Sequence, residues 1–206
     1  MGTFWKASAG AGQEELLLKF QISGAPLDWS RDGRSILHSI ADAKIRQDLA
    51  ILPVTGDRKL VPLVQTEFNE RDARFSPDGR FVAYSSDGTG RYEVYIQPVP
   101  PTGAKWPVSS GGARQPEWRR DGKELYYIAP DRKLMAVAVT TGPKFEAGAP
   151  RALFETRVAP YTGITGRSYA VTADGRRFLI NTEMEAAASK PAPITVVVNW
   201  QAGVSK

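Results

Sequence analysis

Four Asp-Gly pairs, set in one recurring context, constrain this chain more than any other feature. Asp32, Asp78, Asp121 and Asp174 are each followed by Gly and then Arg or Lys, and they stand 46, 43 and 53 residues apart. Three residues before each Asp comes Trp29, Phe75, Trp118 or Val171; four residues after comes Ile36, Val82, Leu125 or Phe178. A period in the forties marks a repeat architecture, built from one supersecondary unit copied along the chain.

Turn chemistry identifies the unit. In Ser76-Pro77-Asp78-Gly79, proline presets φ at the first central position, Asp suits the second, and Gly takes the left-handed site that closes a β-hairpin. Asp32-Gly33, Asp121-Gly122 and Asp174-Gly175 repeat the motif, with Arg31, Arg120 and Ala173 in place of Pro77. The strand after each turn is apolar at successive positions, as in Val82-Ala83-Tyr84 and Leu125-Tyr126-Tyr127. A sheet with one wet face would alternate instead. Apolarity on both faces places each small sheet between two others, the condition met by the blades of a β-propeller.

Two more strands complete each unit. Residues 48–54, 93–99 and 133–139 read as third strands, and Lys59–Gln65, Lys105–Ser109 and Arg151–Thr156 as fourth strands. Pro62 and Pro107 fit an outermost edge, where no ladder hydrogen bond is lost. The expected fold is all-β, one propeller region over residues 1–206 built of four-stranded antiparallel blades. Residues 23–66, 67–110 and 111–157 form full blades, 1–22 a partial first and 165–200 a partial last. Residues 3–8 and 14–20 supply the last two strands of the first; Ile194–Trp200 supplies a third strand to the last. An open arc with exposed apolar faces is expected, and with it self-association or cover by upstream blades.

Composition removes several function classes. There is no cysteine, so no disulfide, thiol nucleophile or Cys metal site, and the single histidine, His38, excludes multi-His zinc sites. A net charge of +5 with no Lys/Arg run longer than two gives no case for nucleic acid. No apolar run approaches the roughly 20 residues of a membrane span, and Met1–Lys6 has no leader pattern.

Ser76–Asp87, followed by Glu93-Val94-Tyr95-Ile96, resembles the repeat of TolB-type, WD-repeat-like β-propellers. Residues 12–19 (Gly-Gln-Glu-Glu-Leu-Leu-Leu-Lys) and 193–200 (Pro-Ile-Thr-Val-Val-Val-Asn-Trp) resemble the C-terminal propeller of bacterial serine/threonine protein kinases. That resemblance implies a sensor-like or scaffold module with a protein or peptide partner, extracytoplasmic if the parent is membrane-anchored and cytoplasmic otherwise. The alternatives are the propeller of a prolyl-oligopeptidase-type peptidase and a free periplasmic TolB-like protein.

No cofactor, metal or catalytic residue is expected. Gly10-Ala11-Gly12 and Gly88-Thr89-Gly90 do not continue into a phosphate loop. Gly166-Arg167-Ser168-Tyr169-Ala170 only approximates a nucleophile elbow and leads into a strand. The one available base, His38, occupies a second-strand slot held elsewhere by Tyr84, Tyr127 and Ile180. Asp87-Gly88-Thr89-Gly90 lacks the acidic ligands of a calcium loop. Trp29, Phe75 and Trp118 share one repeat position and are expected in the core between blades. Arg119, Arg120, Arg176 and Arg177 flank turns and are expected to be solvated. The long loop 158–166, with Tyr161 and the neighbouring Arg167, is the candidate binding element.

Overall fold

A computed structural model describes residues 2–7, 12–19, 23–41, 46–142, 145–158 and 167–182. All its regular elements are strands, arranged in chain order as five antiparallel sheets. The first is a two-stranded sheet of β1 (Gly2–Trp5) and β2 (Glu15–Lys19). The second runs β3 (Gly24–Trp29), β4 (Ser35–Ala41), β5 (Gln47–Pro53), β6 (Val61–Val64). The third runs β7 (Glu70–Phe75), β8 (Phe81–Ser86), β9 (Glu93–Pro98), β10 (Trp106–Pro107). The fourth holds β11 (Arg114–Trp118), β12 (Glu124–Ile128), β13 (Lys133–Thr141), β14 (Phe145–Ala147) and β15 (Arg151–Glu155). The last pairs β16 (Tyr169–Val171) with β17 (Phe178–Ile180). Pro62 and Pro107 lie on the outer strands β6 and β10, as their missing N–H requires. The reading of residues 194–200 as a strand falls outside the described residues.

The four repeat turns close the hairpins β3–β4, β7–β8, β11–β12 and β16–β17. Gly33, Gly79, Gly122 and Gly175 take φ of 74°, 72°, 72° and 71°. Each turn Asp accepts the backbone N–H two residues on, at 3.0–3.1 Å. A hydroxyl two residues before donates to Asp32, Asp78 and Asp174. Hydrogen bonds from Ser30 to Asp32 and from Thr172 to Asp174, with those backbone donors, hold the two carboxyls below the usual carboxylate range. In the third turn Arg119 replaces the hydroxyl, donating to Asp121 at 2.8 and 2.9 Å and to Glu124 at 2.8 Å. Arg119 is therefore ion-paired, contrary to the solvated side chain expected of it; Arg120, Arg176 and Arg177 are exposed.

Sheets pack face to face through four apolar clusters. Leu37, Leu49 and Ile51 of the second sheet meet Phe75, Val82 and Tyr84 of the third. Ala83, Val94 and Ile96 of the third meet Trp118, Leu125 and Tyr127 of the fourth. Tyr126, Leu134 and Ala136 then meet Tyr169, Val171 and Phe178. The clusters obey one rule: the residue five after a turn Asp packs with the residue three before the next. The pairs are Leu37 with Phe75, Ala83 with Trp118, and Tyr126 with Val171.

That rule explains a correction. Phe75 and Trp118 are buried as expected, but Trp29 is 48% exposed. Its side faces the first sheet, where β1 and β2 stand at the places of β5 and β6 and the described residues supply no inner strands. Leu179, the residue five after Asp174, is likewise 77% exposed. The other departure is β14. The third strand expected over residues 133–139 runs on: β13 is nine residues long and pairs with β14 as well as with β15, the expected fourth strand. Phe145 on β14 is buried against Phe81 and Trp106, with ring centroids 5.7 and 5.0 Å away. An apolar side chain thus secures an extra hairpin that turn residues alone do not announce.

Candidate functional site

The site grows from the inner strands β3, β7, β11 and β16. The pairing of β3, β7 and β11 with its neighbour shifts register, between Pro26 and Asp28, Arg71 and Arg74, and Arg114 and Glu117. Inside two of these bulges a non-glycine residue takes the left-handed conformation: Asp72 at φ 56° and Gln115 at φ 57°. Such conformations cost about 1–3 kcal/mol each and re-aim a side chain away from the ladder.

Asp72 and Gln115 both stand six residues before a turn Asp, in line with Pro26 and Ser168. They join the sheets to one another. Gln115 N–H donates to Asp72 Oδ2 at 3.3 Å, and Gln115 Nε2 donates to Ser168 Oγ at 3.1 Å. Ser168 N–H returns a bond to Gln115 Oε1 at 3.0 Å, and Tyr169 Oη donates to the Gln115 carbonyl at 2.8 Å. Ser168, the centre of the elbow-like run at 166–170, is thus held by an amide; Gly166 lies outside the described residues.

Two residues further along is a ring of charge: Asp28, Arg74 and Glu117, with Ala170 at the fourth place. Asp28 accepts the Phe75 N–H at 2.9 Å. Arg74 Nε lies 3.4 Å from Glu117 Oε2, and Arg167 Nη2 lies 3.7 Å from the same oxygen. Burial pushes the Glu117 carboxyl up, against the pull of Arg167 and Arg74. Arg74, Glu117 and Arg167 line a cavity of about 220 Å³ that also reaches Arg71, Gln47 and Tyr169.

A larger cavity, about 860 Å³, opens beside it at the loops β8–β9, β10–β11 and β12–β13. Its apolar lining is Ala113, Ile128, Pro130 and Val158, and Arg91, Arg114 and Arg132 line it as well. Tyr92 lies between two guanidinium groups, Arg114 at 3.7 Å and Arg71 at 5.9 Å from its ring centroid.

The sequence reading named Arg167, and the structure places it at the charged ring; Tyr161 lies outside the described residues. It missed Asp72, Gln115, Arg74, Glu117 and the Arg-flanked Tyr92. The usable signal was the row of charged or amide residues at fixed offsets before each turn, where a buried strand should be apolar. Asp87 is taken up by Asn69. Its oxygens accept the Asn69 N–H and Nδ2 at 2.8 and 2.9 Å, and among the described residues no acidic or His cluster is arranged to hold a metal.

His38 is fully buried between the first and second sheets. Its Nε2 is 3.0 Å from Thr3 Oγ1 and its Nδ1 is 2.7 Å from the Ser39 carbonyl. Burial lowers its pKa, opposed by the Ser39 bond. An unfolded imidazole titrates near about 6.5, so the unfolded chain takes the proton first. The stability that His38 contributes as a neutral ring is then present above that pH and lost as pH falls through the lower folded value. Because it is the sole histidine, a proton NMR titration reads it directly: the midpoint should lie below about 6.5. A midpoint at or above that value would contradict the buried position.

Hairpin turns in register and small antiparallel sheets packed one on the next in chain order define the blades of a β-propeller. Solved structures share this fold. TolB from Acinetobacter baumannii matches at a TM-score of 0.63 and 17% identity, over 85% of this chain and 42% of that one. The TolB-type protein of Agrobacterium tumefaciens matches at 0.57 and 18%, over 71% and 55%. A puromycin-hydrolyzing peptidase of Mycobacterium tuberculosis matches at 0.60 and 22%, over 81% and 30%. This chain therefore spans about a third to just over half of each of these proteins. No family model and no curated protein matches the sequence. Among the described residues, no helix is long and apolar enough to cross a membrane.

Proposed function

We propose that this chain is a non-catalytic binding or scaffold module, which takes a protein or peptide partner at the inner-strand end of its sheets. One observation carries the reading. Asp28, Arg74 and Glu117 stand on bulged strands beside the left-handed Asp72 and Gln115, with Arg167 just ahead of β16, and none of the four belongs to the apolar clusters that pack the sheets. Strain of this kind marks positions where side-chain direction matters.

We further propose, from the resemblance of residues 12–19 and 193–200, that the module belongs to a bacterial serine/threonine kinase as its sensor-like part. The likeness to the puromycin-hydrolyzing peptidase supports the runner-up, a propeller that gates a hydrolase domain. The surrounding reading frame separates the two: a kinase domain upstream favours the first, and a Gly-x-Ser-x-Gly domain downstream the second. In either setting, neighbouring blades or a second copy would cover Trp29 and Leu179.

Affinity capture tests the binding role. A partner held by the wild-type chain should be lost from Arg167→Gln, whose side chain is half exposed, with circular dichroism showing the fold retained. A partner retained by that variant, or none at physiological salt, counts against the reading. Hydrolysis of ATP or of a peptide above buffer, abolished by one point substitution, would refute the non-catalytic part.

A further inference from the structure

We infer that the larger cavity binds a carboxylate-bearing peptide segment that also carries an apolar side chain. The inference rests on the binding role proposed above and names the ligand chemistry.

The cavity's size, about 860 Å³, is in the range of small-ligand and side-chain sites. Its apolar lining of Ala113, Ile128, Pro130 and Val158 offers nothing to a fully polar ligand. Its lining carries Arg91, Arg114 and Arg132, and a guanidinium pairs with a carboxylate in a bidentate fork. The acidic groups around it are already engaged. Asp87 accepts two bonds from Asn69. Buried Glu93 accepts from the Gly112 N–H at 2.8 Å and from the Ser109 hydroxyl, with Arg91 Nε 3.9 Å away. Asp72 accepts from Gln115 N–H and Ser85 Oγ. Arg114 lies over Tyr92, its guanidinium carbon 3.7 Å from the ring centroid.

Arg132 supplies the independent observation. The turns Asp87–Gly90 and Ala129–Arg132 are equivalent: the fourth residue donates its N–H to the first carbonyl at 2.9 Å in both, and takes φ 84° or 64°. In the first turn that residue is glycine, the default for positive φ. In the second it is arginine, a residue that rarely enters the left-handed region. Thr156 pins the Arg132 carbonyl with its N–H at 2.9 Å and its hydroxyl at 2.6 Å. The fold accepts strain at the one lining position where its own repeat shows glycine suffices, and the guanidinium at the cavity is what the strain keeps.

The test is an array of eight-residue peptides that vary in Glu or Asp content and in Leu or Phe content, each with a free or an amidated C-terminus. Hits are followed by fluorescence anisotropy on the full chain. Binding should need a carboxylate and an apolar residue, and weaken as salt rises. Free and amidated forms tell a terminal carboxylate from a side-chain one. Arg132→Gly relieves the strained φ, so it should melt at or above the wild-type temperature yet bind at least tenfold more weakly. Arg114→Gln should also weaken binding.

Equal binding of Gln-for-Glu peptides, or of wild type and Arg132→Gly, overturns the inference while leaving a peptide-binding module in place. Equal binding of a phosphopeptide lacking carboxylates would make this a general anion site and overturn the carboxylate assignment. If no array peptide binds but a protein partner is captured, the inference falls and the proposed function stands; if neither binds, both fall.

Discussion

Leu37→Ala should lower the melting temperature by about 10 °C, while Leu179→Ala should leave it nearly unchanged. The two leucines occupy the same repeat position, five residues after a turn Asp, and the substitution is identical. Leu37 is fully buried against Phe75 and Val82 between the second and third sheets. Truncating a buried leucine costs about 2–5 kcal/mol, from lost transfer energy plus the cavity left behind. Leu179 is 77% exposed, so it has little contact to lose, and surface changes of this kind stay within about 0.5 kcal/mol. Thermal unfolding by circular dichroism measures both. A large loss at Leu179 would mean that something covers it in solution.

Gly79→Val and Asp87→Ala should cost comparable amounts, about 1–3 kcal/mol each. The sequence alone suggests otherwise, with Gly79 in the tightest turn and Asp87 in a longer, exposed loop. The structure supports the first half of that expectation. Gly79 holds φ 72°, and although a Cβ there would meet open space, a β-branched residue is strained by the backbone itself. Asp87 is a different matter. Its carboxylate receives both the backbone N–H and the side-chain amide of Asn69, and so ties the start of β7 to the end of β8. Alanine would leave those donors without partners. Urea titrations of the two variants decide it; a loss at Gly79 several times that at Asp87 would restore the sequence-based ranking.

The comparison shows what kind of information each residue carries. The hairpins were legible because Asp-Gly turns act locally: Gly33, Gly79, Gly122 and Gly175 need only their own backbone to take positive φ. The edge positions of Pro62 and Pro107 were legible for the same reason. Trp29 was not, because its burial depends on which strands of the neighbouring sheet stand opposite, and no local pattern records that. Phe145 and the β14 hairpin depend on a pocket formed by Phe81 and Trp106, some forty to sixty residues earlier. The candidate site was the least legible part. The left-handed Asp72 and Gln115 have no propensity that announces them, and the charged ring becomes visible only once the strands are laid side by side in repeat register.

The bulged inner strands divide labour within each repeat. The positions six and four residues before each turn Asp belong to none of the apolar clusters that hold the sheets together. Their charge or size can therefore change while the apolar core stays as it is, much as the pins of a cylinder lock are cut separately from its barrel, with the hydrogen bonds that tie Asp72, Gln115 and Ser168 together changing as a set. A scaffold of this kind can acquire a new specificity through a handful of substitutions on its inner strands, made together where the positions are bonded to one another. Two members with the same repeat core can then differ wholly in what they recognise.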